Sequence, residues 1–142
     1  VQPSRSRQQT QQLPLTAQGS RGGARPAEVG ARLEYEVRRA LGALPGVVVH
    51  RNPQIRATTP TGAAVLTGIG GKGAPDIVVE VRTASGVTAC LWLECKAGTG
   101  ELNPDQKVWH AAAAREGRHV VIVRQVADAT EAVAKLRAGA SR

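Results

Sequence analysis

An α/β domain built on a mixed sheet is the fold class that this sequence predicts, and three observations carry it. Two strand-like runs, DIVVEVR and VTACLWLECK, are joined by the turn signal TASG, which reads as a hairpin. Two later segments open with helix-start chemistry, NPDQ and DATE. The elements follow one another as helix, strand, hairpin, helix, strand, helix, an order that suits helices packed on a sheet with parallel and antiparallel neighbours.

Residues 1 to 27 are rich in Gln, Ser, Arg, Gly and Pro, with four arginines and no acid, and read as a disordered basic tail. The tail either holds phosphates loosely or only keeps the chain soluble. EVGARLEYEVRRALGAL follows, and Leu33, Val37, Ala40, Leu41 and Leu44 fall on one helical stripe. Pro45 and Gly46 end it. VVVHRN is a short strand leading into a polar turn. Residues 53 to 75 form a long Gly- and Thr-rich connection with one short strand expected around AAVL. The hairpin comes next. The second helix takes Asn103 as N-cap, Pro104 at its first position and Gln106 where a capping box needs it, and Gly117 stops it. HVVIV is another strand. Asp128 is the expected N-cap of the last helix, with Glu131 three residues on.

The chain of 142 residues suits one domain and is 42% hydrophobic, but aromatics are only 2%. Val, Leu, Ile and Ala must therefore fill the core. A net charge of +8 and a pI near 10.7 favour polyanionic partners, nucleic acid above all. No run is long enough to span a bilayer, and no apolar segment near the start reads as a signal peptide. Cys90 and Cys95 lie five apart, on opposite faces of a strand, so they cannot bridge each other. They are expected as two buried thiols in a reducing cytoplasm.

Several patterns lead nowhere. GIGGKG, residues 68 to 73, has the glycine spacing of a dinucleotide loop, but Ala-Pro and a strand follow it where a helix is required. A phosphate loop fails because Gly, not Ser or Thr, follows Lys72. The glycines read instead as a flexible approach to a site. His50, His110 and His119 show no metal-ligand spacing and are expected to be structural. No Gly-x-Ser-x-Gly elbow is present.

The chemistry gathers at the end of the hairpin. Alternation puts Cys90, Trp92, Glu94 and Lys96 on one face of the second strand, and Leu91, Leu93 and Cys95 on the other. Asp76, Val78 and Glu80 share a face of the first. A turn near Ser85 brings Asp76 to the neighbourhood of Glu94 and Lys96 if the register has the right parity. Two carboxylates that close repel, and one would normally protonate. A divalent cation resolves this, and Mg²⁺ characteristically takes one or two carboxylates and completes its shell with water and phosphate oxygens. Lys96 adds a positive group to orient a water or stabilise charge developing on phosphorus. A bare Glu-x-Lys is common and by itself reads as a surface ion pair. Its weight here comes from the Pro-Asp that opens the preceding strand.

At these residues the chain resembles a known family. GKGAPDIVVEV, LWLECKAGTGELNPDQKVW and VVIVRQVADA are similar to the VRR-NUC branch of the PD-(D/E)xK nuclease superfamily, from about Glu34 to Val133. The specific combination is Pro-Asp, then Glu-x-Lys, then Gly-x-Leu-x-Pro-x-Gln opening a helix. The resemblance implies a restriction-endonuclease-like core, a mixed sheet flanked by helices, over residues 28 to 142. It implies Mg²⁺- or Mn²⁺-dependent cleavage of DNA, and a phage-type, stand-alone homodimer with Holliday-junction-resolvase character. The cytoplasm of a bacterial or phage-infected cell is the expected location.

Carried over by residue, the resemblance makes Asp76, Glu94 and the backbone carbonyl of Cys95 the metal ligands, and Lys96 the catalytic lysine. Gln106 matches the family's helix glutamine and is assigned to the site on that ground, the alternative being that it only completes the cap to Asn103. Glu34 is the expected first-helix glutamate, with Glu36 a rival at a similar angle. Arg51 and Asn52 match a polar pair near DNA, and Lys72 and Lys107 are assigned with them as DNA contacts. Cys95 departs from the usual small aliphatic residue and is expected to add only oxidation sensitivity. The rival reading is a non-catalytic DNA-binding module, which would not need Asp76, Glu94 and Lys96 together. A basic ribosome-associated protein explains the charge but not the carboxylates.

Overall fold

The first helix starts earlier than its apolar stripe. In the computed structural model, which describes residues 25–139, α1 spans Pro26–Gly42. Pro26 presets the first turn, and the Glu28 carboxylate reaches back to accept the Arg25 N–H at 3.1 Å. Two residues assigned to the basic tail thus belong to the helix, and the rest of that tail, up to residue 24, lies outside the described residues. Leu33, Val37 and Leu41 are buried along one face of α1. Each is worth roughly 2 kcal/mol of apolar burial.

A four-stranded mixed sheet forms the centre, in the order β1-β4-β5-β6, from β1 (Val47–Arg51), β4 (Ile77–Arg82), β5 (Thr88–Cys95) and β6 (His119–Val123). β1 and β5 flank β4 antiparallel, and β6 runs parallel to β5 after a crossover through α2 (Pro104–Arg115). Helix α3 (Val126–Gly139) closes the described chain. The result is a single-domain α/β fold with helices on both faces of the sheet. On one face α1 and α3 cover Ile77, Val79, Val81, Leu91, Leu93 and Val123. On the other, Val78 and Trp92 pack with Ala74, and Trp109 of α2 covers them. Cover on both sides explains why β4 is apolar nearly throughout. Among the described residues, no helix is long and apolar enough to cross a membrane.

Several expectations change. The connection after β1 holds two strands, not one: β2 (Ile55–Thr58) pairs antiparallel with β3 (Ala64–Thr67) as a separate two-stranded sheet. IRAT does alternate apolar and polar residues, but its four residues lie among the Pro, Thr and Gly turn signals of this stretch and do not stand out from them. Asp128 is not the N-cap of α3. The helix begins at Val126, and the Asp128 carboxylate instead reaches back to accept the N–H groups of Arg124 and Gln125, at 2.9 and 3.1 Å. Cys90 is exposed and Cys95 half-buried, because Cys90 lies on the stretch of β5 that α2 does not cover.

The glycine loop before β4 is packed rather than loose. The Trp109 indole N–H donates to the Gly70 carbonyl at 2.7 Å. Gly73 has φ +84°, and a Cβ there would fall on the Asp105 carbonyl, 2.6 Å from its carbon. That close approach seats the first turn of α2 against the start of β4. Gly71 has a similar φ of +80° but open space around it. Gly71→Ala should therefore cost only the left-handed backbone strain, about 1 kcal/mol, whereas Gly73→Ala should cost about 2–4 kcal/mol and lower Tm by roughly 10 °C. Urea denaturation of the two variants checks this, and equal losses would mean that the packing at Gly73 is not tight.

Candidate functional site

The pairing of β4 with β5 decides where the charged groups stand. Its register sets Ile77 opposite Leu93, so the hairpin turns about Ser85, and one step further Asp76 stands across from Glu94. Asp76 precedes β4, and its Oδ2 accepts the Cys95 backbone N–H at 3.0 Å. Glu94 is only 1% exposed. Its Oε1 accepts from Gln106 Nε2 at 2.6 Å and pairs with Lys96 Nζ at 3.1 Å. Its Oε2 is buried with no partner. Glu94 and Lys96 are therefore no surface ion pair.

Two more elements complete the cleft. Gln106 serves the cap and the site at once: its Oε1 accepts the Asn103 N–H at 2.9 Å while its amide nitrogen holds Glu94. From α1 comes Glu34, with Ala27, Gly30 and Ala31 beside it, around a cleft of about 300 Å³ that Asp76, Glu94, Cys95, Lys96 and Gln106 also line. Glu34, not Glu36, faces this space, and Glu36 pairs with Arg32 at 2.9 Å on the outer surface. The small residues that let α1 approach the strand ends were missed from sequence. Their spacing at 27, 30, 31 and 34 was the available signal, because it marks one helix face that includes Glu34 and omits Glu36.

The electrostatics follow from burial without enough positive charge. Burial, and then the Asp76 carboxylate, push Glu94 up to about 7, against the opposing pull of Lys96 and Gln106. Asp76 is also raised, by burial first and then by Glu34, while the Cys95 N–H, Lys96 and Arg51 oppose the rise. The repulsion falls on Glu94 because it is the more deeply buried and Asp76 has a backbone donor. The Cys95 thiol is pushed up to about 12 by burial and by the three carboxylates. It is thus protected from oxidation rather than sensitised, since the reactive form is the thiolate. His110 is lowered by burial and by the charge of Lys96, and its Nε2 is buried without a partner.

Of the expected DNA contacts, Arg51 holds Glu34 through Nε at 2.9 Å at the mouth of the cleft. Asn52 has a different role. It is 3% exposed, its Oδ1 accepts the Ile69 N–H at 2.6 Å, and its Nδ2 donates to the carbonyls of Ile69 and Pro75, both at 2.9 Å. Its side chain is a clasp between the end of β1 and the glycine loop. Lys72 pairs with Asp105 at 3.2 Å on the surface, and Lys107 is exposed on α2.

A larger concavity of about 540 Å³ lies elsewhere, between β6 and α3. Its lining is mainly apolar, including Leu91, Val121, Ala132 and Leu136, and its charged groups are partly spent on each other, as Glu131 on Lys135 at 2.9 Å. Convergent polar groups with displaced pKa values are a better guide to chemistry than volume. No protein-family model, curated protein or solved structure matches this chain.

The donor set suits a hard divalent cation. Two carboxylates line one cleft and repel, one buried oxygen of Glu94 lacks a partner, and the pair is short of positive charge. Among the described residues no group of three or more His, Cys, Asp or Glu side chains is arranged to hold a metal. The share asked of the protein here is smaller, two carboxylates and a carbonyl.

A pH dependence follows. The folded pKa of Glu94, about 7, lies above the ordinary value of 4.5. Between those values the folded state holds a proton that the unfolded chain has lost, so metal-free stability falls as pH rises from about 4.5 to about 7. The expected loss from this group is a few kcal/mol. Glu94→Gln removes the titration, so in EDTA the variant should keep its stability across that window and exceed the parent at pH 8. Urea melts against pH check this, and parallel profiles would show that Glu94 is not the strained group.

Proposed function

We propose that the chain is a Mg²⁺- or Mn²⁺-dependent deoxyribonuclease with a restriction-endonuclease-like core, similar to the VRR-NUC branch of the PD-(D/E)xK superfamily. Its substrate on this reading is branched or otherwise structured DNA, cut by a homodimer. The observation that carries it is the convergence of Asp76, Glu94 and Lys96 with Glu34 and Gln106 in one cleft, where a buried Glu94 oxygen has no partner. The net charge of +8 supports a polyanionic substrate.

Asp76 and Glu94 would hold the cation, with the Cys95 carbonyl beside them. A bound Mg²⁺ or Mn²⁺ supplies Lewis acidity that polarises a phosphoryl oxygen and offsets charge developing on phosphorus. The other roles belong to the chain. Cys95 N–H keeps Asp76 oriented and favours its charged form against burial. Gln106, fixed by its own helix cap, keeps Glu94 from swinging away. The Lys96 ammonium, 3.1 Å from Glu94 and mostly buried, is placed to orient the attacking water and to stabilise negative charge on the phosphate. The water oxygen bonds to phosphorus as one phosphate–sugar P–O bond breaks, and the net proton from water ends on the departing oxygen.

Labelled four-way junctions, flaps, nicked duplexes and plain duplexes, incubated with Mg²⁺, Mn²⁺ or EDTA, test the reading. Cleavage should need the cation, and Asp76→Asn should slow it at least about a hundredfold while DNA binding is retained or tightened. Activity within tenfold of the parent would remove Asp76 from the site.

A second measurement does not need the substrate. At a concentration about a hundredfold above its Kd, a divalent cation should stabilise the fold by about 2.7 kcal/mol, a Tm rise of several degrees. Asp76→Ala with Glu94→Ala should abolish that rise. If calorimetry shows no shift at millimolar Mn²⁺, the two carboxylates are not a cation site.

A further inference from the structure

The β2–β3 hairpin stands apart from the four-stranded sheet. Its two strands pair with each other, and neither packs to any extent on another helix or strand. Among the described residues, no buried core residue comes from it. A two-stranded hairpin of four residues a side is marginal in water without backing. The arm is nevertheless organised at both ends.

At its tip, the Thr59 N–H donates to the Ala63 carbonyl at 2.8 Å, and the Thr59 hydroxyl accepts the Ala63 N–H at 3.0 Å. At its root, the Asn52 side chain ties Ile69 and Pro75 together, and the Asn52 N–H donates to the Asp76 carbonyl at 2.7 Å. The root is therefore fixed to the residue that carries the candidate site's first carboxylate. A second cleft of about 320 Å³, lined by Glu34, Arg51, Asn52, Pro53, Gln54 and Asp76, opens between the root and that carboxylate. It shares Glu34 and Asp76 with the first, so the two clefts adjoin at those residues.

We propose that the β2–β3 hairpin is a nucleic-acid-binding arm that receives the DNA strand where it leaves the cleft on the Arg51 side. The inference rests on the nuclease reading and adds the path of the substrate to it. Charge supports it: residues 51 to 75 contain three basic residues and no acid, and while Arg51 pairs with Glu34 and Lys72 with Asp105, Arg56 belongs to the hairpin itself. Surface chemistry supports it too. Threonine hydroxyls, which the hairpin carries at Thr58, Thr59 and Thr61, are ordinary phosphate contacts. Ile55 and Ile69, at the root, are 55% and 60% exposed, an unusual state for isoleucine beside a polar cleft. Apolar side chains so placed are the kind that wedge between bases and favour an unstacked or branched site over a regular duplex.

Two variants test the arm. The first removes residues 55–67 and joins Gln54 to Gly68 through two glycines, a span the root allows, since a Cβ on Gly68 would lie 3.0 Å from the Pro53 carbonyl. The second is Ile55→Ser with Ile69→Ser, which leaves the charge unchanged. Both are made on an Asp76→Asn background. Binding to a fluorescein-labelled four-way junction and to a duplex of equal length is read by anisotropy in EDTA, over a range of salt. Melting temperature and, on the parent background, the Mn²⁺-induced shift are read in parallel.

The deletion should weaken junction binding about tenfold or more, and the serine pair severalfold, with less effect on the duplex. The salt slope of the serine pair should equal that of the parent, because no phosphate contact is lost. The Mn²⁺ shift should persist in both. Unchanged junction affinity in a folded deletion variant overturns the proposal and leaves the nuclease reading standing. So does a loss of binding in the deletion alone that follows a fall in melting temperature. If the intact chain binds neither DNA, the nuclease reading fails and the arm's role fails with it.

Discussion

The register of β4 against β5 is the constraint on which everything else hangs. With Ile77 opposite Leu93, the side chains of Ile77, Val79, Val81, Leu91 and Leu93 turn to α1 and α3, while Val78 and Trp92 turn to α2. A slip of one residue on either strand would exchange those faces and strand the larger core on the side with a single helix. The same register sets Asp76 across from Glu94. Core and site are thus one solution to one pairing problem, and neither can be moved without the other.

The site is the part of the fold that the core does not favour. Glu94 is as buried as the leucine before it, yet it has one oxygen satisfied and one not. The surroundings hold it by over-determination. Gln106 is fixed by its cap, Asp76 by the Cys95 N–H, and the strand beyond by the bond from Lys96 N–H to the Val123 carbonyl at 2.9 Å. The loop that follows is pinned by Arg124, which donates to the carbonyls of Gly98 and Gly100 at 2.7 and 3.0 Å. Preorganisation of this kind keeps a strained charge pair in place while the rest of the domain supplies the stability.

Much of this was legible in the sequence because the signals were local. The turn at Ser85 and strict alternation brought Asp76 to the neighbourhood of Glu94 for one parity of the register, which the pairing of Ile77 with Leu93 supplies, and Asn103, Pro104 and Gln106 marked the start of α2. What was illegible depended on distant partners. Asn52 looked like an exposed polar residue, and only the folded glycine loop reveals it as a buried clasp. Asp128 looked like an N-cap, since the same carboxylate can cap from the first position or reach back from the third. β2 escaped notice because its four alternating residues lie among the Pro, Thr and Gly turn signals of residues 53 to 75. Glu34 and Glu36 could not be separated by the apolar stripe, which both flank. The small residues on Glu34's own face separate them.

The two tryptophans of this chain have a practical consequence. Trp92 lies on β5, two residues before Glu94, and Trp109 on α2, three residues after Gln106, and their rings sit 5.1 Å apart and tilted by 53°. The Arg118 guanidinium lies over both, 5.6 and 5.8 Å from the ring centres. Every indole in the sequence therefore stands at the joint between the helix that carries Gln106 and the strand that carries Glu94. Tryptophan emission, excited at the red edge where the single tyrosine, Tyr35 on α1, does not absorb, reads that joint alone, so the protein comes with its own optical gauge of whether helix and strand are seated.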